Sequence, residues 1–309
     1  MGKIAFLFAG QGAQYPGMGK SLTEISPKAA SLFELADSIR PGTSRQCFEG
    51  DPAELTQTAN TQPCVFTVDL AAAYALEEAG VYADVAAGFS LGEMAALTFA
   101  GSFSEKDGFS LVCRRGELMQ EAAQEHPSAM AAVLKLKDET VEQLCAGFPD
   151  VYPVNYNCPG QLVVAGGTEH LEQFCELAAE AGGRAKKLAV GGGFHSPFME
   201  QAASAYLQEL LRIGVNPPRI SVYGNRTAAP YEENREIMLA EQMKNPVLWT
   251  KTVERMAADG VDTFVEVGPG KTLSGLVKRI LPHAAVYRVE DAATLEETIQ
   301  ALRKTGGQE

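Results

Sequence analysis

The stretch Asp84 to Gly101 reads DVAAGFSLGEMAALTFAG. An apolar run (Val85, Ala86, Ala87) predicts a buried strand, and Glu93 to Ala100 predicts a helix with Gly101 at its C-terminal stop. Between them Gly88-Phe89-Ser90-Leu91-Gly92 is a G-x-S-x-G. Strand, tight turn and helix are the setting in which that pattern becomes a nucleophile elbow, with the serine hydroxyl exposed at the turn. The glycines are expected where a Cβ would collide with a neighbouring strand or helix. The pattern also arises by chance, so its meaning depends on the residues around it.

Residues 3–8, KIAFLF, predict a first strand that opens into the glycine-rich loop Ala9 to Gly19. A phosphate loop needs G-x-x-x-x-G-K-[ST]. Gly19-Lys20-Ser21 and Gly270-Lys271-Thr272 supply its end, but Gln14 and Val265 stand where the first glycine must be. The unpaired N–H groups of such a loop suit an oxyanion better than a dinucleotide. Residues 21–60 carry no legible chemistry, and an apolar helix runs from Thr61 to Gly80. Ser104 caps the helix that follows the elbow. On it Leu111, Val112, Leu118, Met119 and Ala122 form one stripe that includes Arg115, whereas Arg114 falls with Asp107, Ser110, Glu117 and Glu121 on a solvated face. An inward guanidinium keeps its proton and is costly to bury without an anion. On the helix alone, a structural carboxylate and a substrate carboxylate are both open as its partner.

From 128 to 190 the pattern changes. AMAAVLKL, a helix from Asp138 to Gly147, VYPVNYN, QLVVAGG, a helix capped by Thr168-Glu169 and a last strand RAKKLAV give the order β-α-β-β-α-β of a ferredoxin-like unit. We therefore expect an α/β protein: a hydrolase-like α/β domain with a mostly parallel sheet, residues 1–126 and 192–309, and an inserted ferredoxin-like α+β subdomain, residues 127–191. Next, Ser196-Pro197 after Gly191 to His195 reads as a helix start, so His195 sits where a positive helix end favours neutral imidazole. His126, His170 and His283 lie in polar, charged or turn-like contexts, and no metal-ligand spacing occurs.

A net charge of −13 in 309 residues, with a pI near 4.9, argues against nucleic acid or an anionic membrane as partner. No apolar run reaches membrane-spanning length, the N-terminus reads as a strand and not a signal peptide, and six scattered cysteines suit a reducing cytoplasm.

Taken together the sequence resembles the malonyl-CoA–acyl carrier protein transacylase family across essentially the whole chain. The resemblance is carried, in one collinear order, by Gly10-Gln11-Gly12-Ala13-Gln14, Gly88-Phe89-Ser90-Leu91-Gly92-Glu93, Arg115-Gly116-Glu117-Leu118-Met119, Asn157-Cys158-Pro159-Gly160-Gln161, Phe194-His195-Ser196, Gln242 with Asn245-Pro246-Val247-x-Trp249, and Glu266-Val267-Gly268-Pro269-Gly270. It implies transfer of malonyl from malonyl-CoA to the phosphopantetheine thiol of acyl carrier protein in fatty-acid biosynthesis. Ser90 and His195 would form a catalytic dyad, with the backbone N–H groups of Gln11 and Leu91 as the oxyanion hole. Arg115 would bind the malonyl carboxylate, Gln242 would orient His195 through its main-chain carbonyl, and Phe194 would select the acyl group. No resident cofactor and no metal are implied. The chain departs from the family's common wording at Ala9 and Ala13 (proline and serine), Phe89 (histidine) and Gly191 (serine), none of them a reacting group.

Three rivals remain. Service to polyketide synthesis would leave these residues unchanged. A serine esterase needs a catalytic acid between Ser90 and His195 and an HGGG-type loop; the loop is absent and no acid stands out. A non-catalytic carrier-docking module would not need Ser90, His195 and Arg115 together. For docking an acidic carrier, Arg184, Lys186, Lys187, Lys271, Lys278 and Arg279 are candidates for a basic patch.

Overall fold

The computed structural model describes residues 2–305. Its strands are β1 (Lys3–Phe8), β2 (Val85–Gly88), β3 (Ser128–Leu134), β4 (Val151–Cys158), β5 (Gln161–Gly167), β6 (Arg184–Lys187), β7 (Ser221–Tyr223), β8 (Val261–Val267) and β9 (Ala285–Val289). Five of them form a sheet in the order β7-β2-β1-β8-β9, and every neighbouring pair is parallel. Parallel strands need crossovers, which here are the helices of the large α/β layer. Both faces are covered: Phe6 and Phe8 of β1 enter one apolar cluster, while Ala5 and Leu7 enter another with Trp249 and Phe264. That is the strand's period of two at work.

The other four strands form an antiparallel sheet, β4-β5-β3-β6. This is the arrangement that the order β-α-β-β-α-β predicts. All its strands come from residues 128–187, between those of the parallel sheet. The small sheet is tied to the loop between the helices Arg235–Gln242 and Trp249–Ala258: Val247 N donates to Val154 O at 2.8 Å and Tyr156 N donates to Val247 O at 2.9 Å.

Some boundaries differ from expectation. The apolar helix spans Thr58–Glu78, beginning before Thr61, and is buried on all sides from Thr61 to Leu76. The last strand of the small sheet stops at Lys187 instead of running to Val190. Leu188 N makes one more bond, to Met130 O, and residues 188–190 then peel away to line cavities at the cleft. Residue Gly167 precedes the helix Thr168–Glu180, which has no side-chain cap, so Thr168 and Glu169 do not cap it as expected.

Candidate active site

Ser90 stands between β2 and the helix Leu91–Phe99 with φ 56° and ψ −106°. A non-glycine residue at positive φ costs about 1–3 kcal/mol and persists only where its surroundings hold it. The turn is also tight. A Cβ on Gly88 would lie 1.9 Å from the Gly92 carbonyl carbon, and one on Gly92 would lie 2.3 Å from Phe8 O. Both positions therefore demand glycine, which is what the motif supplies.

His195 is also left-handed, at φ 60°, with its N–H donated to Met243 O at 3.0 Å. Its side chain is buried between two partners. Nε2 lies 2.7 Å from Ser90 Oγ, and Nδ1 lies 2.8 Å from Gln242 O. A carbonyl can only accept, so Nδ1 carries the proton and Nε2 is the basic nitrogen facing the serine. Burial, then the charge of Arg115, depress its pKa to about 4, against weaker hydrogen bonding that raises it. Ser196 and Pro197 open a helical segment as expected, a 3-10 turn Pro197–Met199 that runs directly into the helix Glu200–Ile213, while burial is the first cause of the neutral imidazole.

Arg115 is fully buried on the helix Glu105–Glu125. Its Nη1 donates to Gln62 Oε1 at 2.8 Å, and its Nη2 to Gln242 Oε1 at 2.8 Å and Ser90 Oγ at 3.3 Å. Nε has no partner, and among the described residues no carboxylate pairs with the guanidinium. A fully buried cation hydrogen-bonded only to amide oxygens and a hydroxyl, with the Glu93 carboxylate acting on it through charge and not contact, leaves room for an anion to complete it. Burial lowers the Arg115 pKa from its usual value, yet a guanidinium stays charged.

Leu91 is the first residue of its helix, where an N–H lacks an intrahelical acceptor. Neither the Leu91 nor the Gln11 N–H is bonded among the described residues. Gln11, Ser90, Phe194 and His195 line one cavity of about 80 Å³, with Met119 and Met130 among its apolar walls. Phe89, Gln11, Asn155 and Leu188 also line an adjoining cavity of about 180 Å³ that reaches Gln161 and Thr272 between the two sheets. Asn155 and Asn157 line it too, and the Oδ1 of each is buried without a partner.

The candidate residues Ser90, His195, Arg115, Gln242, Gln11, Leu91 and Phe194 thus converge on one place. The six basic candidates do not form one free cluster. All are exposed, but Lys187 pairs with Glu172 at 2.6 Å, and Arg279 reaches Gln161 Oε1 at 2.7 Å and Pro159 O at 3.0 Å. The phosphate loop rejected at Gly270-Lys271-Thr272 stays rejected. The N–H groups of Gly270, Leu273 and Ser274 are taken by the carboxylates of Glu290 and Glu266. Four residues went unassigned in the sequence: Gln62, which holds Arg115, and Asn225, Glu93 and Tyr231 behind the elbow. Only Glu93 had a visible cue, its place in the motif after Gly92. No group of three or more metal-ligating side chains occurs among the described residues.

Chemically, the arrangement suits acyl transfer through a serine: a base on the hydroxyl, two free N–H donors beside it and a cation for an acyl group bearing its own charge. Comparisons agree in kind. Residues 5–301 match the acyl transferase domain family. Malonyl CoA-acyl carrier protein transacylase of Bacillus subtilis is 41% identical, over 98% of both chains. A crystal structure of the transacylase of that name from Clostridium perfringens superposes with a TM-score of 0.95 at 39% identity, over 98% of each chain. A malonyl-transacylase solved in complex with a type II PKS acyl-carrier protein superposes at 0.93 and 34% identity, covering 97% of this chain and 99% of that one.

Proposed function

This chain belongs to the malonyl-CoA–acyl carrier protein transacylase family, and from that membership we propose how its residues divide the reaction. The enzyme moves a malonyl group from malonyl-CoA to the phosphopantetheine thiol of acyl carrier protein. His195 Nε2 takes the Ser90 proton as Oγ attacks the thioester carbonyl. The oxyanion forms against the N–H groups of Gln11 and Leu91, where one such donor is typically worth about 2.7–4 kcal/mol. As the C–S bond breaks, imidazolium returns the proton to the CoA sulfur, leaving malonyl esterified to Ser90. The carrier thiol then repeats the sequence in reverse, losing its proton to His195 and displacing Ser90.

The observation that carries this reading is Arg115, a buried cation without a carboxylate partner, 3.3 Å from the hydroxyl that takes the acyl group. A malonyl carboxylate completes it. The esterase reading fits worse, because His195 is oriented by the Gln242 carbonyl and a neutral ester has no use for Arg115. For the thioester arm we assign the larger cavity, where the unpaired Oδ1 atoms of Asn155 and Asn157 suit the amide N–H groups of pantetheine. Arg184, Lys186, Lys271 and Lys278 are our carrier-docking residues, with Lys187 and Arg279 contributing less because each already has a protein partner. We assign the pathway to fatty-acid synthesis, the location to the cytoplasm and the residues 127–191 to a subdomain, with no resident cofactor. All six cysteines are free, and no helix among the described residues is long and apolar enough to cross a membrane.

Intact-mass spectrometry after mixing with malonyl-, methylmalonyl- and acetyl-CoA tests the assignment. Malonyl should add to the wild type and not to Ser90→Ala, and carrier protein should remove it. Equal labelling of Ser90→Ala would sink it.

A further inference from the structure

The nucleophile's backbone needs something to hold it, and the molecule supplies a buried amide, Asn225, whose Oδ1 also accepts from Gln242 Nε2 at 3.4 Å. Asn225, fully buried in the segment after β7, donates Nδ2 to Gly88 O at 2.6 Å and accepts the Ser90 N–H on Oδ1 at 2.7 Å. Its amide cannot be turned over, because Ser90 N–H can only donate and Gly88 O can only accept. Asn225 is itself fixed at both ends of its backbone. Its N–H goes to Glu93 Oε2 at 2.7 Å, and its carbonyl accepts from Leu248 N at 2.8 Å. Glu93 is wholly buried and takes the Tyr231 hydroxyl on its other oxygen. From the dyad side, Gln242 Nε2 binds Ser90 O at 2.8 Å.

We propose that Asn225 is a positioning residue for the transfer: its amide clamps the backbone that leads into Ser90, from Gly88 C=O to Ser90 N–H, and Glu93 fixes the clamp. The clamp keeps Ser90 in a left-handed turn that its own backbone disfavours, and so keeps Oγ 2.7 Å from the base. Without it the Ser90 N–H and Gly88 C=O are left unpaired in the interior, and the turn relaxes toward an ordinary conformation. A misplacement on the order of 1 Å at a reacting atom costs about 100-fold in rate. The inference rests on the reading of Ser90 as acyl acceptor.

The test is single-turnover malonylation by quenched flow and intact mass, with wild type, Ser90→Ala, Asn225→Ala and Asn225→Asp. Asn225→Ala should slow acylation by about 100-fold while the apparent KM for malonyl-CoA changes less than about threefold. Asn225→Asp keeps the shape and the acceptor for Ser90 N–H, but sets a second acceptor against Gly88 O. Protonation restores a donor there. Around this position the ionisable groups are Glu93, Arg115, Tyr206, Tyr231 and His195, of which Arg115 alone is a cation above pH 5. With His195 still neutral at pH 5.5, the Asn225→Asp to wild-type rate ratio should rise at least about tenfold from pH 8 to pH 5.5. A role in folding alone would leave that ratio flat. A ratio that is flat and low at both pH values, or Asn225→Ala within about threefold of wild type, overturns the clamp. Should Asn225→Ala fail to fold, the aspartate ratio decides by itself. Labelling of Ser90→Ala at the wild-type rate would instead bring down the nucleophile reading, and the clamp with it.

Discussion

Arg115→Met separates what the guanidinium does for the fold from what it does for the substrate. Methionine keeps an unbranched apolar stem and removes the guanidinium and its charge. The change removes the donors to Gln62 Oε1 and Gln242 Oε1, each 2.8 Å away, and an unpaired buried acceptor costs about 1–3 kcal/mol. Against that, it relieves the burial of a cation whose Nε is unpartnered. Stability should therefore move by about 2 kcal/mol or less. Substrate selection should move further. Two unit charges about 4 Å apart at an effective dielectric near 20 attract by about 4 kcal/mol, or roughly 1,000-fold at about 1.4 kcal/mol per decade. Steady-state kcat/KM for malonyl-CoA should fall by about that factor. For acetyl-CoA, which has no free carboxylate, the loss should be at most about tenfold, from relaxation of Gln242. Parallel losses for both substrates would refute the argument and make Arg115 a structural residue only.

Because burial and Arg115 hold the His195 pKa near 4, its base form persists well below the usual histidine range. Acylation should stay level from pH 8 to about 5 and fall only towards pH 4; a pH–rate profile breaking near 6.5 would contradict this. Glu93 behaves oppositely: burial raises its pKa to about 7, so the native state holds a proton that the unfolded chain releases. Its contribution is fully present below about 4.5 and lost as pH rises through 7, so Glu93→Gln should raise Tm at pH 8 relative to wild type and not at pH 4.5. Thermal melts at both values check the sign. Gln242→Asp would place a carboxylate on Arg115 Nη2 while the main-chain carbonyl to His195 stays. KM should then rise more for malonyl-CoA than for acetyl-CoA, and equal rises would contradict the competition. Phe194 is buried against the small cavity, so methylmalonyl-CoA should be a poor substrate. Phe194→Ala should improve its kcat/KM relative to malonyl-CoA by about 10-fold or more, the usual worth of one methyl group, and an unchanged ratio would free Phe194 of that role.

The parts of this molecule that sequence could disclose are those with a local rule. Strand–turn–helix around Ser90, the apolar stripe carrying Arg115 and the strand order of the small sheet all follow from spacing, and all appear in the fold. Arg115 could be placed inward, yet its amide partner Gln62 could not, since nothing in an apolar helix marks that its one glutamine reaches a residue 53 positions away. Asn225 is more hidden still. It meets Ser90 across 135 residues, through an amide that has no periodicity and no recognisable neighbours. The end of β6 at Lys187 departs from the sequence pattern for a different reason. Leu188 to Val190 have strand-like composition, but they turn apolar surface toward the cleft instead of continuing the ladder.

The ties between the small sheet and the helical layer have a mechanical consequence. Val247 joins β4 to the loop before the helix Trp249–Ala258 through main-chain bonds to Val154 and Tyr156, Thr250 Oγ1 adds a bond to Tyr156 O at 3.1 Å, and Arg279 of the helix Thr272–Ile280 reaches Pro159 and Gln161. Breaking these ties, for example with Arg279→Ala, should loosen the wall of the cavity that we assign to the thioester arm, and hydrogen exchange of the segment Pro159 to Gln161 reads that loosening.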